Sequence, residues 1–206
     1  RDGFEEYKSC HIPNSIFFDL DENSKKNSHL PHMIVEKNDW NLIVSKMGIK
    51  NNDEIIIYDN SDVISSCRCW FNFIYFGHDP KLIHILNGGL KKWIKEKRKT
   101  TSDLTKIELT KYYSSEKKEL VKDKKFIDLN IKTKKFKILD ARSKERFDGK
   151  TKEPRAGLRS GHIENSFCIP FSQCLNSDQT FKSKKELRNI FKSCLKNTDE
   201  KNIVFS

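Results

Sequence analysis

The feature that most constrains this chain is that part of it occurs twice. His11-Ile12-Pro13-Asn14-Ser15-Ile16-Phe17-Phe18 is echoed by His162-Ile163-Glu164-Asn165-Ser166-Phe167-Cys168-Ile169. Each copy is followed by a polar stretch, a helix-like stretch and an apolar strand: Ile55 to Asp59 after the first, Ile203 to Ser206 after the second. A repeat of this size is too long for a solenoid unit and implies two duplicated domains. A chain of 206 residues divides into two domains of roughly a hundred residues, each large enough for its own core.

The hydrophobic pattern between the repeats alternates strands and helices. Ile16-Phe17-Phe18, Ile55 to Tyr58, Lys81 to Leu86, Phe136 to Leu139 and Phe167 to Phe171 read as short, mostly buried strands. The continuous β-branched run at Ile55 suits a parallel strand covered on both faces. Phe4 to Lys8, Asn38 to Met47, Ser65 to Phe76, the stretch through Trp93, Lys124 to Lys132, Arg142 to Phe147 and Phe181 to Lys196 read as helices. For the second, Asn38 or Asp39 is the expected cap and Gly48 the stop, with Trp40, Leu42, Ile43 and Met47 inward. Trp70 and Trp93 fall at core spacing. Residues 101–118 are polar and nearly aperiodic and read as a linker between domains 1–100 and 119–206. The expected class is α/β, two domains each with a mainly parallel sheet flanked by helices on both faces.

Charge and cysteine usage limit the partners. The net charge of +11 would permit nucleic-acid binding, but the lysines are scattered among asparagines and isoleucines rather than gathered in a patch, so none is expected. Six cysteines show no regular framework, and Cys67 and Cys69 stand too close together for a zinc pair. No metal or other cofactor is expected. No secretory segment opens the sequence and no apolar run approaches the ~20 residues of a membrane span, so the expectation is no membrane association and free thiols in a reducing compartment, cytoplasmic or mitochondrial.

One loop carries the chemistry. Leu139 to Phe171 sets Arg146 and Arg155 among Gly149, Pro154, Gly157 and Gly161, between two short strands. Cations on turns at a strand end suit an anion, because a guanidinium fork matches carboxylate and sulfonate oxygens; a solvated charged loop is the plainer alternative. Read on its own, Asp21 opens an acidic turn and His32 faces solvent.

Taken together, HIPNSIFFDLD, LPHM, YDNSD, FGHDPKLIHILNGGLKKW, LDARSKERF and EPRAGLRSGHIENSFCIPF resemble the tandem rhodanese-like sulfurtransferases, most closely the 3-mercaptopyruvate type. The resemblance covers nearly the whole chain. Asn14 and Asn165 stand where that family usually has glycine, Glu164 where it has proline, and Val35 replaces a common proline.

The resemblance implies two rhodanese-like domains with a cleft between them, and transfer of sulfur from 3-mercaptopyruvate to a thiol or cyanide through a cysteine persulfide. Thiosulfate is the alternative donor, and a non-catalytic rhodanese-like binding module the alternative role. It implies a small-molecule sulfur donor and a thiol acceptor such as thioredoxin or a small thiol. Arg146 and Arg155 match the substrate-carboxylate arginines, and Asp21 and His32 a proton relay; Arg142, Arg159 and Arg68 are less certain, Arg142 being equally able to hold a strand end. His11 and His162, at matching places in both repeats, read as structural turn residues. Aligning the repeats puts Asp59 opposite the residue that would follow Ser206, where the family has its nucleophilic cysteine. The first half therefore lacks a nucleophile, the opening strand and catalytic loop are expected to be missing from this stretch, and the 206 residues alone are expected to transfer no sulfur.

Overall fold

The computed structural model describes residues 2–154, 157–195 and 202–206. The chain divides into two compact units, residues 1–120 and 121–206.

In the first unit α1 (Gly3–Ser9) begins where the Asp2 side chain accepts hydrogen bonds from the Phe4 and Glu5 amides. α2 (Lys37–Lys46) starts earlier than expected, with Glu36 rather than Asn38 or Asp39 at its N-cap and no side-chain cap bond. Trp40 and Val44 are its buried residues, whereas Leu42 points to solvent. β1 (Ile55–Ile57) leads through a polar loop to α3 (Ser66–Tyr75). A 3-10 turn capped by Asp79 then enters β2 (Ile83–Ile85), and α4 (Gly89–Lys95) follows. β1 and β2 pair in parallel, with Ile55, Ile56 and Ile57 opposite Ile83, His84 and Ile85.

The core of this unit is aromatic. Trp40 is fully buried, stacked on Phe76 at 4.7 Å and edge-on to Phe73 at 5.1 Å. Removing a side chain of this kind from a packed core costs about 3–5 kcal/mol. Trp70 is half-buried against that core, and Trp93 is half-buried with its indole N–H donating to the Lys99 carbonyl.

Two sequence expectations fail here. Residues 101–118 do not run free as a linker. Tyr112 is 2% exposed, its phenol meets His78 at 3.0 Å, and its amide donates to Ser45, while the Ser114 amide donates to Asn41. An irregular segment can be buried once side chains satisfy its backbone groups, and no hydrophobic period announces that. The other is Ile16-Phe17-Phe18, which is in no sheet among the described residues. A strand needs a ladder partner as well as suitable residues.

The second unit begins with α5 (Lys124–Thr133), capped by Asp123. β3 (Lys137–Asp140), α6 (Lys144–Phe147), β4 (Ser166–Cys168), α7 (Lys184–Leu195) and β5 (Ile203–Phe205) follow. β3 is central in the order β4-β3-β5, and both pairings are parallel. Its burial matches that place: Ile138 and Leu139 are each 1% exposed, as a parallel strand covered on both faces requires.

The sequence repeat is also a structural one. Asn14 and Asn165 adopt left-handed φ of 64° and 62°. Asparagine tolerates that region better than most residues, which is why it can stand where glycine was expected. The Ser15 amide donates to the Ile12 carbonyl at 3.1 Å, and the Ser166 amide to Ile163 at 3.0 Å. His11 Nδ1 lies 2.6 Å from the Tyr7 carbonyl and His162 Nδ1 2.7 Å from that of Phe147. The same aromatic rings stack on the imidazoles, at 4.0 and 3.8 Å. Both histidines brace a turn onto the preceding helix.

Candidate functional site

The second unit gathers charge at the C-terminal end of β3. Ser143 caps the short helix α6, accepting from the Arg146 amide, and this turn swings Arg146 back over the strand end. Gly149, at φ 71°, turns the chain away where a Cβ would sit 3.4 Å from the Gly161 amide. The network is continuous. Asp140, 2% exposed, accepts from the Arg142 amide at 2.9 Å and from its guanidinium at 2.6 to 3.1 Å. Arg142 continues to the Gly161 carbonyl and Glu153, both at 2.8 Å. Glu153, whose side chain is 3% exposed, also accepts from Arg146 at 2.5 Å.

The electrostatics follow from these contacts. Burial pushes the Asp140 carboxyl up, but the side-chain and backbone hydrogen bonds of Arg142 and the two guanidinium charges outweigh it and hold the group below the usual carboxylate range. The hydrogen bond from Arg146 holds Glu153 down as well. Arg142 thus anchors the strand end, while Arg146, a third exposed, is the cation of this network with the freer face. Arg155 lies outside the described residues. Arg159 is exposed.

In the first unit Asp21 and His32 come together across the loop that follows Phe18. Asp19 folds it by accepting from the Asp21 and Glu22 amides. His32 Nδ1 lies 3.2 Å from Asp21, within ion-pair distance once the ring is protonated, though not aligned as a hydrogen bond. His32 holds a left-handed φ of 54°, and the Arg68 guanidinium donates to its carbonyl. Burial lowers the Arg68 pKa, and its Nε has no hydrogen-bond partner. Further along, Asp59 accepts from Ser61, Ser65 and the Ser66 amide, so a carboxylate occupies the N-terminus of α3.

The structure therefore joins Asp21 to His32, and Arg146 to Arg142 through Glu153. The sequence reading missed Glu153; its place directly before Pro154 in the arginine-bearing loop was the available signal. Arg68 beneath His32 was only a candidate, since thirty-six residues separate the two. None of the six cysteines sits in a cradle of amide donors among the described residues. Burial pushes Cys67, Cys168 and Cys174 up, and Cys69 up to about 12. No group of three or more His, Cys, Asp or Glu among the described residues is arranged to hold a metal, and no helix there is long and apolar enough to cross a membrane.

Comparison with known proteins shows what the chain resembles. Residues 2–96 match the rhodanese-like domain. The chain is 34% identical over 212 residues to thiosulfate/3-mercaptopyruvate sulfurtransferase 1, mitochondrial, of Arabidopsis thaliana, covering 93% of this chain and 55% of the relative. It is 34% identical to thiosulfate sulfurtransferase of Rattus norvegicus, covering 93% of this chain and 65% of that one. The chain thus spans between about half and two thirds of the length of these curated relatives. Among solved structures, SseA of Escherichia coli, a 3-mercaptopyruvate sulfotransferase with the rhodanese fold, superposes with a TM-score of 0.86 at 25% identity, covering 100% of this chain and 75% of SseA. Tum1 of Saccharomyces cerevisiae gives 0.81 at 27% identity, covering 95% and 68%. Residues 2–96 thus form a rhodanese-like domain, and the chain as a whole is similar in sequence and fold to the thiosulfate and 3-mercaptopyruvate sulfurtransferases.

Proposed function

We propose that these residues belong to a sulfurtransferase that takes sulfur from 3-mercaptopyruvate and passes it to a thiol or cyanide. The observation that carries the donor choice is the arginine network at the end of β3. Arg146 gives its Nε and one Nη to Glu153 and keeps its remaining N–H groups, on a side chain a third exposed, for an anion such as the carboxylate that mercaptopyruvate has and thiosulfate lacks. Arg155 is proposed as its partner. Relatives named for thiosulfate keep that anion as the second reading.

The chemistry is a double displacement. A cysteine thiolate attacks the donor sulfur, an S–S bond forms, and the C–S bond breaks with its electron pair going to the pyruvate enolate, which takes up a proton. An acceptor thiolate then attacks the outer sulfur and releases the enzyme thiolate. Asp21 is proposed to orient the His32 ring, and His32 to manage the proton. None of the six cysteines is proposed as the nucleophile: none sits in a cradle of amide donors among the described residues, and burial makes Cys67, Cys69, Cys168 and Cys174 poor thiolate sources. Acceptor thiols, including thioredoxin, and a cytoplasmic or mitochondrial location are part of the proposal.

The test compares pyruvate and thiocyanate formation by the 206-residue chain and by the polypeptide expressed from the full reading frame. The short chain is expected to be inactive. In the active form, Arg146→Ala should lower kcat/KM for mercaptopyruvate roughly tenfold to a hundredfold, the worth of one charge-assisted bond at about 1.5–3 kcal/mol. An equal fall with thiosulfate would argue against carboxylate recognition.

A further inference from the structure

The relay proposed for Asp21 and His32 leaves out Arg68, which makes the one hydrogen bond that His32 has among the described residues. The two residues belong to elements of different stiffness. Arg68 stands in the first turn of α3, whose start is fixed by Asp59: its carboxylate accepts from the Ser66 amide at 2.8 Å and from Ser65 Oγ at 3.0 Å. The same helix seats Cys69 and Phe73 in the aromatic core.

His32 lies in a loop instead. Ser24 Oγ donates to the Leu20 carbonyl at 2.6 Å, the Lys25 amide to the Met33 carbonyl at 2.8 Å, and Lys25 Nζ to Glu36 at 2.6 Å. These bonds close the loop, but none of them fixes the φ of His32. Its value of 54° is uncommon for a residue with a side chain. A return to the extended region would redirect both the Cα–Cβ bond and the carbonyl. The ring would leave Asp21, now 3.2 Å from Nδ1, and the carbonyl would leave Arg68. The bond to the carbonyl therefore restrains the ring.

The guanidinium can hold that carbonyl firmly. Its Nε is buried, which limits how far the fork can swing, and a charge-assisted bond is stronger than one between neutral groups. Burial lowers the Arg68 pKa, so the cation is kept here at a cost in free energy, and an unusual backbone conformation held at such a cost marks functional positions.

We infer that Arg68 is a positioning residue for the Asp21–His32 relay: from α3 it binds the His32 carbonyl and holds His32 in the left-handed conformation that keeps its ring on Asp21. This rests on the relay reading above, and the test separates the two.

In the isotope-labelled 206-residue protein, His32 should show the strong contact between its own amide and α protons that a positive φ gives. Arg68→Met, which keeps the length of the side chain but no donor, should weaken that contact and the one between the His32 ring and Asp21, with the β1–β2 amide signals unchanged. Arg68→Lys, which can still donate, should restore both in part. In the active polypeptide from the full reading frame, Arg68→Met should lower kcat for mercaptopyruvate roughly tenfold with KM within about twofold, because a misplaced proton carrier slows chemistry rather than binding. In a His32→Ala background the same substitution should have no further effect. Should Arg68→Met unfold the first unit, Arg68→Lys carries the test, with a smaller fall in kcat that also vanishes in the His32→Ala background. If His32→Ala leaves kcat unchanged, the relay reading fails and the inference with it. If His32→Ala slows turnover, three results overturn the inference alone: His32 contacts unchanged in Arg68→Met, a rise in KM with kcat unchanged, or an equal fall in kcat with and without His32.

Discussion

Asp140→Asn tests whether the charge network holds the second unit together. The carboxylate is 2% exposed and receives one amide and three guanidinium contacts from Arg142. Asparagine keeps one acceptor for the amide but removes the charge, leaving the Arg142 guanidinium with Glu153 and the Gly161 carbonyl. Losing one partner of a buried pair costs about 3–5 kcal/mol. Because Arg142 is a quarter exposed and retains two acceptors, the expected loss falls below that range, roughly 2–3 kcal/mol. With a urea m-value of about 1 kcal/mol/M for a unit of this size, the midpoint should fall by roughly 2–3 M, or the unit should be unfolded in buffer.

The assay can separate the units, because all three tryptophans and all five tyrosines lie in the first one. Far-UV circular dichroism should show the change, with tryptophan emission as the reference for the first unit. The pH dependence carries a sign. The Asp140 carboxyl is held below its usual range when folded, so its stabilising effect is present above the ordinary carboxylate pKa of about 4 and is lost as pH falls through the lowered value. The difference between the native protein and Asp140→Asn should therefore be constant from pH 8 to about 5 and shrink below 4. A variant with an unchanged dichroism midpoint, or a difference that grows on acidification, would refute the reasoning.

Two further outcomes are expected. Gly77→Ala should lower the tryptophan-monitored midpoint of the first unit by at least about 1 kcal/mol, since φ is 82° and a Cβ would stand 2.5 Å from the Ser115 carbonyl; an unchanged midpoint would mean residues 101–118 are not held as described. In the native protein at pH 8, Cys69 should stay unlabelled by iodoacetamide and react only in urea, read by mass spectrometry of its peptide, because burial has moved its thiol up to about 12.

The duplication was legible because it is written in residues whose conformations are local. Asn14 and Asn165 turn the chain in both copies, and His11 and His162 brace those turns on the nearest aromatic ring. The run at Ile55 and the helices α5 and α6 follow from patterns only a few residues long. Arg146, Asp21 and His32 were singled out by resemblance; bringing His32 within 3.2 Å of Asp21 needed the intervening loop to fold. What depended on distant partners could not be read. Glu153 became the hub of a network only once a turn carried it to two arginines, and Tyr112 became core only once His78 and Ser45 met it. Ile16-Phe17-Phe18 has every strand-forming residue it needs, yet it is not a strand here, because β structure belongs to a pair of segments and a sequence describes one at a time.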